Sequence, residues 1–264
     1  MLLLAKYLVA VAIGLGIAFL MPQGTLWGLL PLAVIAAMSN SNGSLYVALA
    51  GQFGNKTDRG AISILSLNDG PFLTMVALGT AGLADLPLIA LLAAVFPIIL
   101  GFILGNSSRL VRVFLAPGEK LIIPFAAFAI GAGINLSVLF TSGAVGIVLG
   151  LMTVLLSGGA AMLFLYAWYT LRKRPRPARN ILAGACESAV AGNAIATPAA
   201  IAMVDPRFLS IQDAATAQIA TAVVVTAFVS PFLVAYVNRW QLRRGISPEY
   251  EERYLQGRHS DLPD

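Results

Sequence analysis

Charged residues are scarce in this sequence: only 11% of its 264 residues are Asp, Glu, Lys or Arg, whereas 58% are hydrophobic. A water-soluble globule of this size needs more polar residues to cover its surface. The composition therefore excludes a soluble protein and indicates that lipid is the solvent for most of the chain.

Cysteine and histidine are nearly absent. Cys186 is the only cysteine and His259 the only histidine, so neither a disulfide within the chain nor a thiolate metal site is predicted. His259 belongs to the polar C-terminal tail, which excludes histidine catalysis inside the membrane. The sequence also contains no nucleophile and base pair, no metal-ligand cluster and no phosphate-binding glycine loop, so we predict a protein that is not an enzyme and has no cofactor.

Hydrophobic runs of membrane-spanning length recur along the whole chain. Each has about 20 residues or more, which at about 1.5 Å per residue crosses a hydrocarbon core of about 30 Å. The alternating pattern of barrel strands is absent, so we predict an all-α polytopic membrane protein with about eight transmembrane helices. A cleaved signal peptide is the less favoured interpretation of the first run. The runs are residues 2–21, 26–51, 61–83, 86–105, 121–140, 143–171, 181–204 and 214–240.

The basic residues divide unequally between the two sides of the membrane. When alternate loops are counted, one side receives sixteen of the 17 Lys and Arg residues and the other side receives Arg207 alone. By the positive-inside rule both termini are cytoplasmic, and the loops at 84–85 and 205–213 face outward. The basic stretch RKRPRPAR at 172–179 is interpreted as a solvated juxtamembrane loop, with no nucleic-acid partner.

Two of the runs are interrupted by polar residues. SNSNGS at 39–44 breaks the second run and AGNAIATP at 191–198 breaks the seventh. These runs stand five helices apart and cross in opposite directions, as the broken helices at the substrate site of an inverted-repeat transporter do. We therefore predict a substrate site here; polar helix packing is the alternative. The candidate binding residues are Ser39, Asn40, Ser41, Asn42, Gly43, Asn68, Asn135, Gly192, Asn193 and Thr197.

Two carboxylates, Asp69 and Glu187, lie within the runs. Each costs about 2.5–3.5 kcal/mol at the centre of an isolated helix, so each is expected to face the protein interior or water. Their similar depth makes them candidates for proton coupling, with a position in cytoplasmic water as the alternative. No Lys or Arg is predicted deep in any run, so an anionic substrate is expected to be held by half-helix N-termini and neutral donors.

Four segments carry the most specific motifs: AAMSNSNGSLYVALAGQFG (36–54), SLNDGPFLTMVALGTAG (66–82), IPFAAFAIGAGINL (123–136) and AGNAIATPAAIA (191–202). Together they resemble the 2-keto-3-deoxygluconate permease family. The resemblance implies a secondary transporter that brings 2-keto-3-deoxygluconate, a sugar acid from pectin breakdown, into the cell with protons. It also implies the fold of the bile-acid, arsenite and riboflavin transporters, in which ten helices form two inverted five-helix repeats with crossing broken helices.

The sequence departs from this family pattern at its beginning, because the similarity starts at the third helix of the family. We therefore expect an incomplete first repeat and a complete second one. The expected divisions are a partial first repeat at 1–83 with its broken helix at 26–51, a second repeat at 86–240 with its broken helix at 181–204, and a polar cytoplasmic tail at 241–264.

A second departure concerns the acids, because Ser39 and Asn68 stand where a family member has carboxylates. A shift of one residue turns a side chain by about 100° around a helix, so Asp69 need not do the work of an acid at position 68. The functional prediction is a proton symporter that imports the sugar acid across the inner (plasma) membrane. A sodium-coupled organic-anion symporter of the same fold and a truncated, non-transporting membrane protein are the alternatives.

Overall fold

The computed structural model describes residues 1–21, 24–68, 70–117, 125, 128 and 136–257. A π-helical segment, Thr153–Gly158, joins two of its helices, and a 3₁₀ turn, Gly192–Ala196, precedes another. The helices are α1 (Leu2–Leu20), α2 (Pro31–Ser39), α3 (Gly43–Phe53), α4 (Lys56–Gly60), α5 (Ile62–Leu65), α6 (Phe72–Thr80), α7 (Leu88–Ser107), α8 (Arg109–Leu115), α9 (Leu136–Met152), α10 (Gly159–Leu171), α11 (Leu182–Cys186), α12 (Thr197–Val204), α13 (Leu209–Leu242) and α14 (Pro248–Leu255).

The described part of the chain contains five helical stretches long and apolar enough to cross a membrane: Leu2–Leu20, Pro31–Phe53, Leu88–Ser107, Thr141–Leu171 and Pro206–Leu242. A sixth arises if Lys56–Asn68 and Phe72–Thr80, which meet at 54°, form one bent span. These stretches confirm the predicted all-α polytopic membrane protein. The count of eight stays a prediction, because the run at 121–140 lies largely outside the described residues and the run at 181–204 is divided into short helices.

The long helices α9 and α13 pack at close range because their contact contains small residues. A Cβ atom placed on Gly146 would lie 2.6 Å from the carbonyl oxygen of Gln218, so a larger residue at 146 would separate the two helices. The Gln218 side chain also donates to the Gly28 carbonyl at 2.7 Å and accepts from the Leu30 amide at 3.2 Å. It therefore fixes the turn that precedes α2.

One end of the protein brings together two loops that the alternating-loop count assigns to the same side. The Asp85 amide donates to Asp205 Oδ2 at 2.8 Å, and Arg207 forms an ion pair with the same carboxylate at 2.6 Å. Hydrogen bonds from the Arg207 side chain hold the pKa of Asp205 well below its usual value. The two loops therefore lie on the same side of the protein. That this side faces outward stays a prediction.

A buried acid lies at the basic end of the protein, next to the linker at 172–179. Glu251 on α14 is only 1% exposed, and its carboxylate pairs with Arg174 at 2.7 Å. The side-chain amides of Asn55 and Asn180 each donate to Glu251 Oε2 at 3.0 Å. This buried acid therefore anchors the basic linker to the C-terminal helix through Arg174, while Arg172, Lys173 and Arg176 in the same stretch are exposed as predicted for a solvated loop.

Candidate functional site

The first helix break separates α2 from α3 at residues 40–42, within the predicted SNSNGS interruption. Asn40 occupies this break with its side chain turned inward: its Nδ2 donates to the Ala36 carbonyl at 2.8 Å, and its Oδ1 accepts from the Gly70 amide at 2.9 Å. The first bond adds to the one that the Ala36 carbonyl accepts from the Asn40 backbone amide at the end of α2, and the second satisfies an amide just before α6. Asn40 therefore has a structural role in holding the break open.

The second interruption runs from residue 187 to residue 196 and overlaps the predicted interruption at 191–198. Its non-helical part, residues 187–191, is the second break, and the 3₁₀ turn Gly192–Ala196 completes the interruption. Side chains of other helices supply partners for the exposed backbone of the second break. The amide of Val190 donates to Thr226 Oγ1 at 3.0 Å, and the carbonyl of Val190 accepts from Asn42 Nδ2 at 3.0 Å. Asn42 Oδ1 also accepts from the Leu45 amide at 3.1 Å and so caps α3. Asn42 thus joins the two breaks.

A serine and a carboxylate form a second link between the breaks. The Ser41 hydroxyl donates a short hydrogen bond to Glu187 Oε1, and both residues are 1% exposed. The backbone of Ser41 also donates to the Asn68 carbonyl at 3.4 Å, and Asn68 in turn donates from its amide to the Ser39 carbonyl. Glu187 therefore lies inside the protein beside the first break, and a position in cytoplasmic water is excluded.

Lys6 lies against the same carboxylate. Its side chain is fully buried, and Nζ is 3.3 Å from Glu187 Oε1. The same Nζ donates to the carbonyls of Glu187 at 3.0 Å and Ala189 at 2.8 Å, which are backbone groups that the second break leaves without helical partners. The prediction that no cation lies deep in a run is therefore wrong. The loop count had assigned Lys6 to the cytoplasmic side. In the structure, Lys6 belongs to the second turn of α1, and its side chain extends into the protein toward the second break.

Several polar atoms around the breaks are buried with no hydrogen-bond partner among the described residues. A buried polar atom left unpaired costs about 1–3 kcal/mol, and folded proteins keep few of them. Those near the breaks therefore mark a buried polar cluster beside the ion pair, with hydrogen-bonding capacity that no described residue uses. They are Ser39 Oγ, Asn68 Oδ1, Glu187 Oε2, Ser188 Oγ and Thr197 Oγ1.

The predicted site residues fall into three groups. The structure brings most of them to the two breaks, with Gly43 as the first residue of α3. Gly192 and Asn193 lie exposed on the 3₁₀ turn and are not part of the buried cluster. Asp69 and Asn135 lie outside the described residues, so their assignment stays a prediction. The residues at or beside the breaks are Ser39, Asn40, Ser41, Asn42, Gly43, Asn68, Glu187 and Thr197.

Ser157 and Gly158 also lie at the site, although the sequence did not indicate them as candidates. The Ser157 hydroxyl donates to the Met38 carbonyl at 2.9 Å, which satisfies a group near the end of α2. Next to it, a Cβ on Gly158 would lie 2.6 Å from Ser188 Cβ, so glycine permits this approach to the second break. Both residues belong to the π-helical segment, a feature that is frequent at functional sites. The only sequence signal was the Ser-Gly-Gly triplet inside an apolar run.

Comparison with known proteins gives a consistent result. The family model described as 2-keto-3-deoxygluconate permease matches residues 1–243. The 2-keto-3-deoxygluconate permease 1 of Salmonella typhimurium is 48% identical over 241 residues, which are 91% of this chain and 73% of that protein. The 2-keto-3-deoxygluconate permease of Bacillus subtilis is 38% identical over 243 residues, covering 90% of this chain and 71% of that protein.

A relative from Xanthomonas euvesicatoria, also named 2-keto-3-deoxygluconate permease, is 40% identical over 225 residues, which are 85% of this chain and 68% of that protein. No solved structure matches the chain. The family consists of transporters, which agrees with the prediction that the protein is not an enzyme. The match over residues 1–243 and these identities show that the chain belongs to the 2-keto-3-deoxygluconate permease family.

Proposed function

We propose that this protein imports 2-keto-3-deoxygluconate together with protons, and that the sugar acid binds where the two helix breaks meet. The observation that carries the proposal is the buried Lys6 and Glu187 pair, with Ser41 on the same carboxylate oxygen. The names of the relatives, 2-keto-3-deoxygluconate permease, support the choice of substrate. The proposal includes a location in the inner (plasma) membrane with both termini in the cytoplasm, which rests on the basic loops.

Charge balance links the substrate to the proton. In the absence of substrate, the ammonium group of Lys6 and the carboxylate of Glu187 neutralise each other. An incoming sugar acid brings one carboxylate, which replaces Glu187 as the partner of Lys6, while Glu187 takes up one proton from water. Lys6 is thus paired with one carboxylate before and after this exchange, so neither state leaves the charge of this pair unbalanced. One proton therefore enters with each substrate anion.

The remaining polar atoms provide partners for the rest of the substrate. A sugar acid carries hydroxyl groups and a keto oxygen, which need donors and acceptors when they leave water. Ser39 Oγ, Ser188 Oγ and Thr197 Oγ1 are buried without partners among the described residues and surround the breaks. Each of these hydroxyls is able both to donate a hydrogen bond to the substrate and to accept one from it. Asn193, Asp69 and Asn135 remain further candidates from the sequence.

Access to the site requires movement, because the residues of the pair are closed to solvent. Lys6 is 0% exposed, and Glu187 and Ser41 are each 1% exposed. An occluded site between two broken helices suits alternating access, in which one set of helices rocks against another around a fixed site. We propose that the two sets correspond to the partial first repeat at 1–83 and the second repeat at 86–240.

The proposal is tested by transport in proteoliposomes that contain the purified full-length chain. Counterflow of labelled 2-keto-3-deoxygluconate measures binding and translocation, and net uptake with and without an inward proton gradient measures coupling. We expect the gradient to increase net uptake and its collapse by a protonophore to abolish the increase. A dependence on sodium, revealed when choline replaces it at fixed pH, would contradict proton symport and favour a sodium-coupled organic-anion symporter. The absence of counterflow would contradict the proposed substrate.

A further inference from the structure

A large cavity opens at the basic end of the protein, away from the helix breaks. Its volume is about 890 Å³, within the range of small-molecule pockets. The cavity lies where α10 meets the linker after it and the C-terminal end of α13. Three arginines line it: Arg176 and Arg179 from the linker, and Arg244 just beyond α13. Among residues 1–21, 24–68, 70–117 and 136–257, none of those that line it is acidic.

The charges of these arginines are not neutralised within the described part of the protein. None of the three forms an ion pair there, whereas the neighbouring Arg174 pairs with Glu251. Arg179 is nevertheless held in position, because its Nε donates to the Arg174 carbonyl at 2.9 Å. The Arg244 guanidinium lies over the ring of Trp240, 4.3 Å from the ring centre. The cavity therefore presents three positive charges, two of them on side chains with defined contacts, and no acid lines it among the residues that the structure describes.

The opposite wall of the cavity is apolar and follows a membrane-spanning helix. Gly159, Met162, Leu163 and Tyr166 line it from α10; the last three lie three, four and seven residues after the first, so all four belong to one face of that helix. This face is about 10 Å long. Leu163 is 65% exposed although it lies within a stretch that crosses the membrane. The cavity thus continues from the basic end toward the hydrocarbon region.

We propose that this cavity binds a phospholipid with an anionic headgroup, independently of the transported substrate. The phosphate and headgroup lie among Arg176, Arg179 and Arg244, and an acyl chain lies along the α10 face. Arginine is suited to phosphate because its planar guanidinium donates two parallel hydrogen bonds. Basic pockets between transmembrane helices on the cytoplasmic side bind anionic headgroups in this way. A soluble anion has no use for the apolar wall, which is the reason for choosing a lipid.

Lipid retention by the purified full-length protein tests this proposal. Phosphatidylglycerol or phosphatidylcholine is added to protein in detergent, and the bound lipid is counted by native mass spectrometry. The site variant carries Arg176→Gln, Arg179→Gln and Arg244→Gln. The matched control carries Arg172→Gln, Lys173→Gln and Arg243→Gln, which removes the same charge from the same end but from residues outside the cavity.

We expect the unsubstituted protein to retain phosphatidylglycerol at least tenfold better than phosphatidylcholine. The site variant should lose this preference and the control should keep it. Equal losses in the two variants, or equal retention of the two lipids, would overturn the proposal because binding would then reflect net charge or general lipid contact.

A variant with all arginines intact separates a lipid from a soluble phosphate. Leu163→Trp fills the apolar wall and leaves the basic rim unchanged, so it should reduce phosphatidylglycerol retention several-fold. Glycerol phosphate, which has the same charged group without acyl chains, should displace the lipid poorly. Efficient displacement by glycerol phosphate, or normal lipid retention by Leu163→Trp, would contradict a lipid site and indicate a soluble anion. Because a bound lipid stabilises the fold, phosphatidylglycerol should also raise the melting temperature of the unsubstituted protein and of the control, but not of the site variant.

Discussion

Lys6 Nζ lies 3.3 Å from Glu187 Oε1, although 181 residues separate the two in the chain. Their contact connects the first described helix to the second helix break. A buried ion pair of this kind contributes little net stability, because desolvation offsets the attraction between the charges. Breaking it by removing one partner is costly, at about 3–5 kcal/mol. Its position between two helix breaks therefore favours a functional role over a purely structural one.

Replacing the lysine should separate these roles. Lys6→Gln leaves the Glu187 carboxylate without its cation, so we expect a lower melting temperature and a loss of 2-keto-3-deoxygluconate uptake of more than tenfold. The double variant Lys6→Gln with Glu187→Gln removes both charges and should regain most of the melting temperature without regaining uptake. Lys56→Gln, at a lysine with a 78% exposed side chain in a surface ion pair, is the control and should change neither quantity appreciably. Recovery of uptake in the double variant would show that the pair is only structural.

Substitution of Ser41, the serine beside the ion pair, should reduce uptake less than substitution of Lys6. Ser41→Ala removes the hydroxyl that donates to Glu187 Oε1. A hydrogen bond to a charged group contributes about 1.5–3 kcal/mol, so uptake at low substrate concentration should fall about tenfold or more. The exposed Ser44, in the same stretch of sequence, provides the control as Ser44→Ala. Equal uptake by the two variants, measured over the same substrate range, would remove Ser41 from the site.

The sequence predicted the features that depend on local patterns. Long apolar runs indicated the helices, and SNSNGS indicated the first break correctly, because both signals follow from hydrophobicity and from the helix-weakening residues themselves. The burial of Lys6 was not predicted, because a lysine only five residues after the first residue of the chain usually belongs to the cytoplasmic flank of a transmembrane helix. Its inward direction depends on carbonyl groups near residue 189, and no local pattern carries that information. For the same reason the sequence did not indicate that the second interruption begins at residue 187, four residues before the predicted one.

The two asparagines proposed from the sequence should behave differently. Asn42→Ala removes a helix cap and the bond to Val190, so it should lower the melting temperature, by a free energy of about 1 kcal/mol for the cap alone, and reduce uptake. Asn193 lies on the 3₁₀ turn next to the second break, so Asn193→Ala should raise the KM for the sugar acid and lower the melting temperature less than Asn42→Ala does. Kinetics and thermal melts on each variant check this. Unchanged uptake in the double variant would contradict the proposed binding site.

The buried acid at the basic end should control stability and not transport. Glu251→Ala leaves Arg174, Asn55 and Asn180 without their shared acceptor, and the cost of breaking such a pair is about 3–5 kcal/mol. We expect a melting temperature several degrees lower, with an unchanged KM for substrate in the folded fraction. Glu249→Ala, two residues earlier on the exposed face of α14, is the control and should have little effect. Equal melting temperatures for the two variants would show that Glu251 does not anchor the helix.

The central claim is that Glu187 carries the proton that enters with the sugar acid. Its most direct test is the change in internal pH of proteoliposomes when 2-keto-3-deoxygluconate is added outside, measured with a trapped pH dye alongside labelled substrate. The unsubstituted protein should acidify the interior with one proton for each substrate molecule. Glu187→Gln should lose this acidification while it keeps counterflow of labelled substrate, because the neutral amide preserves the size of the side chain and removes the titrating group. Proton entry at the normal ratio in Glu187→Gln would contradict the account.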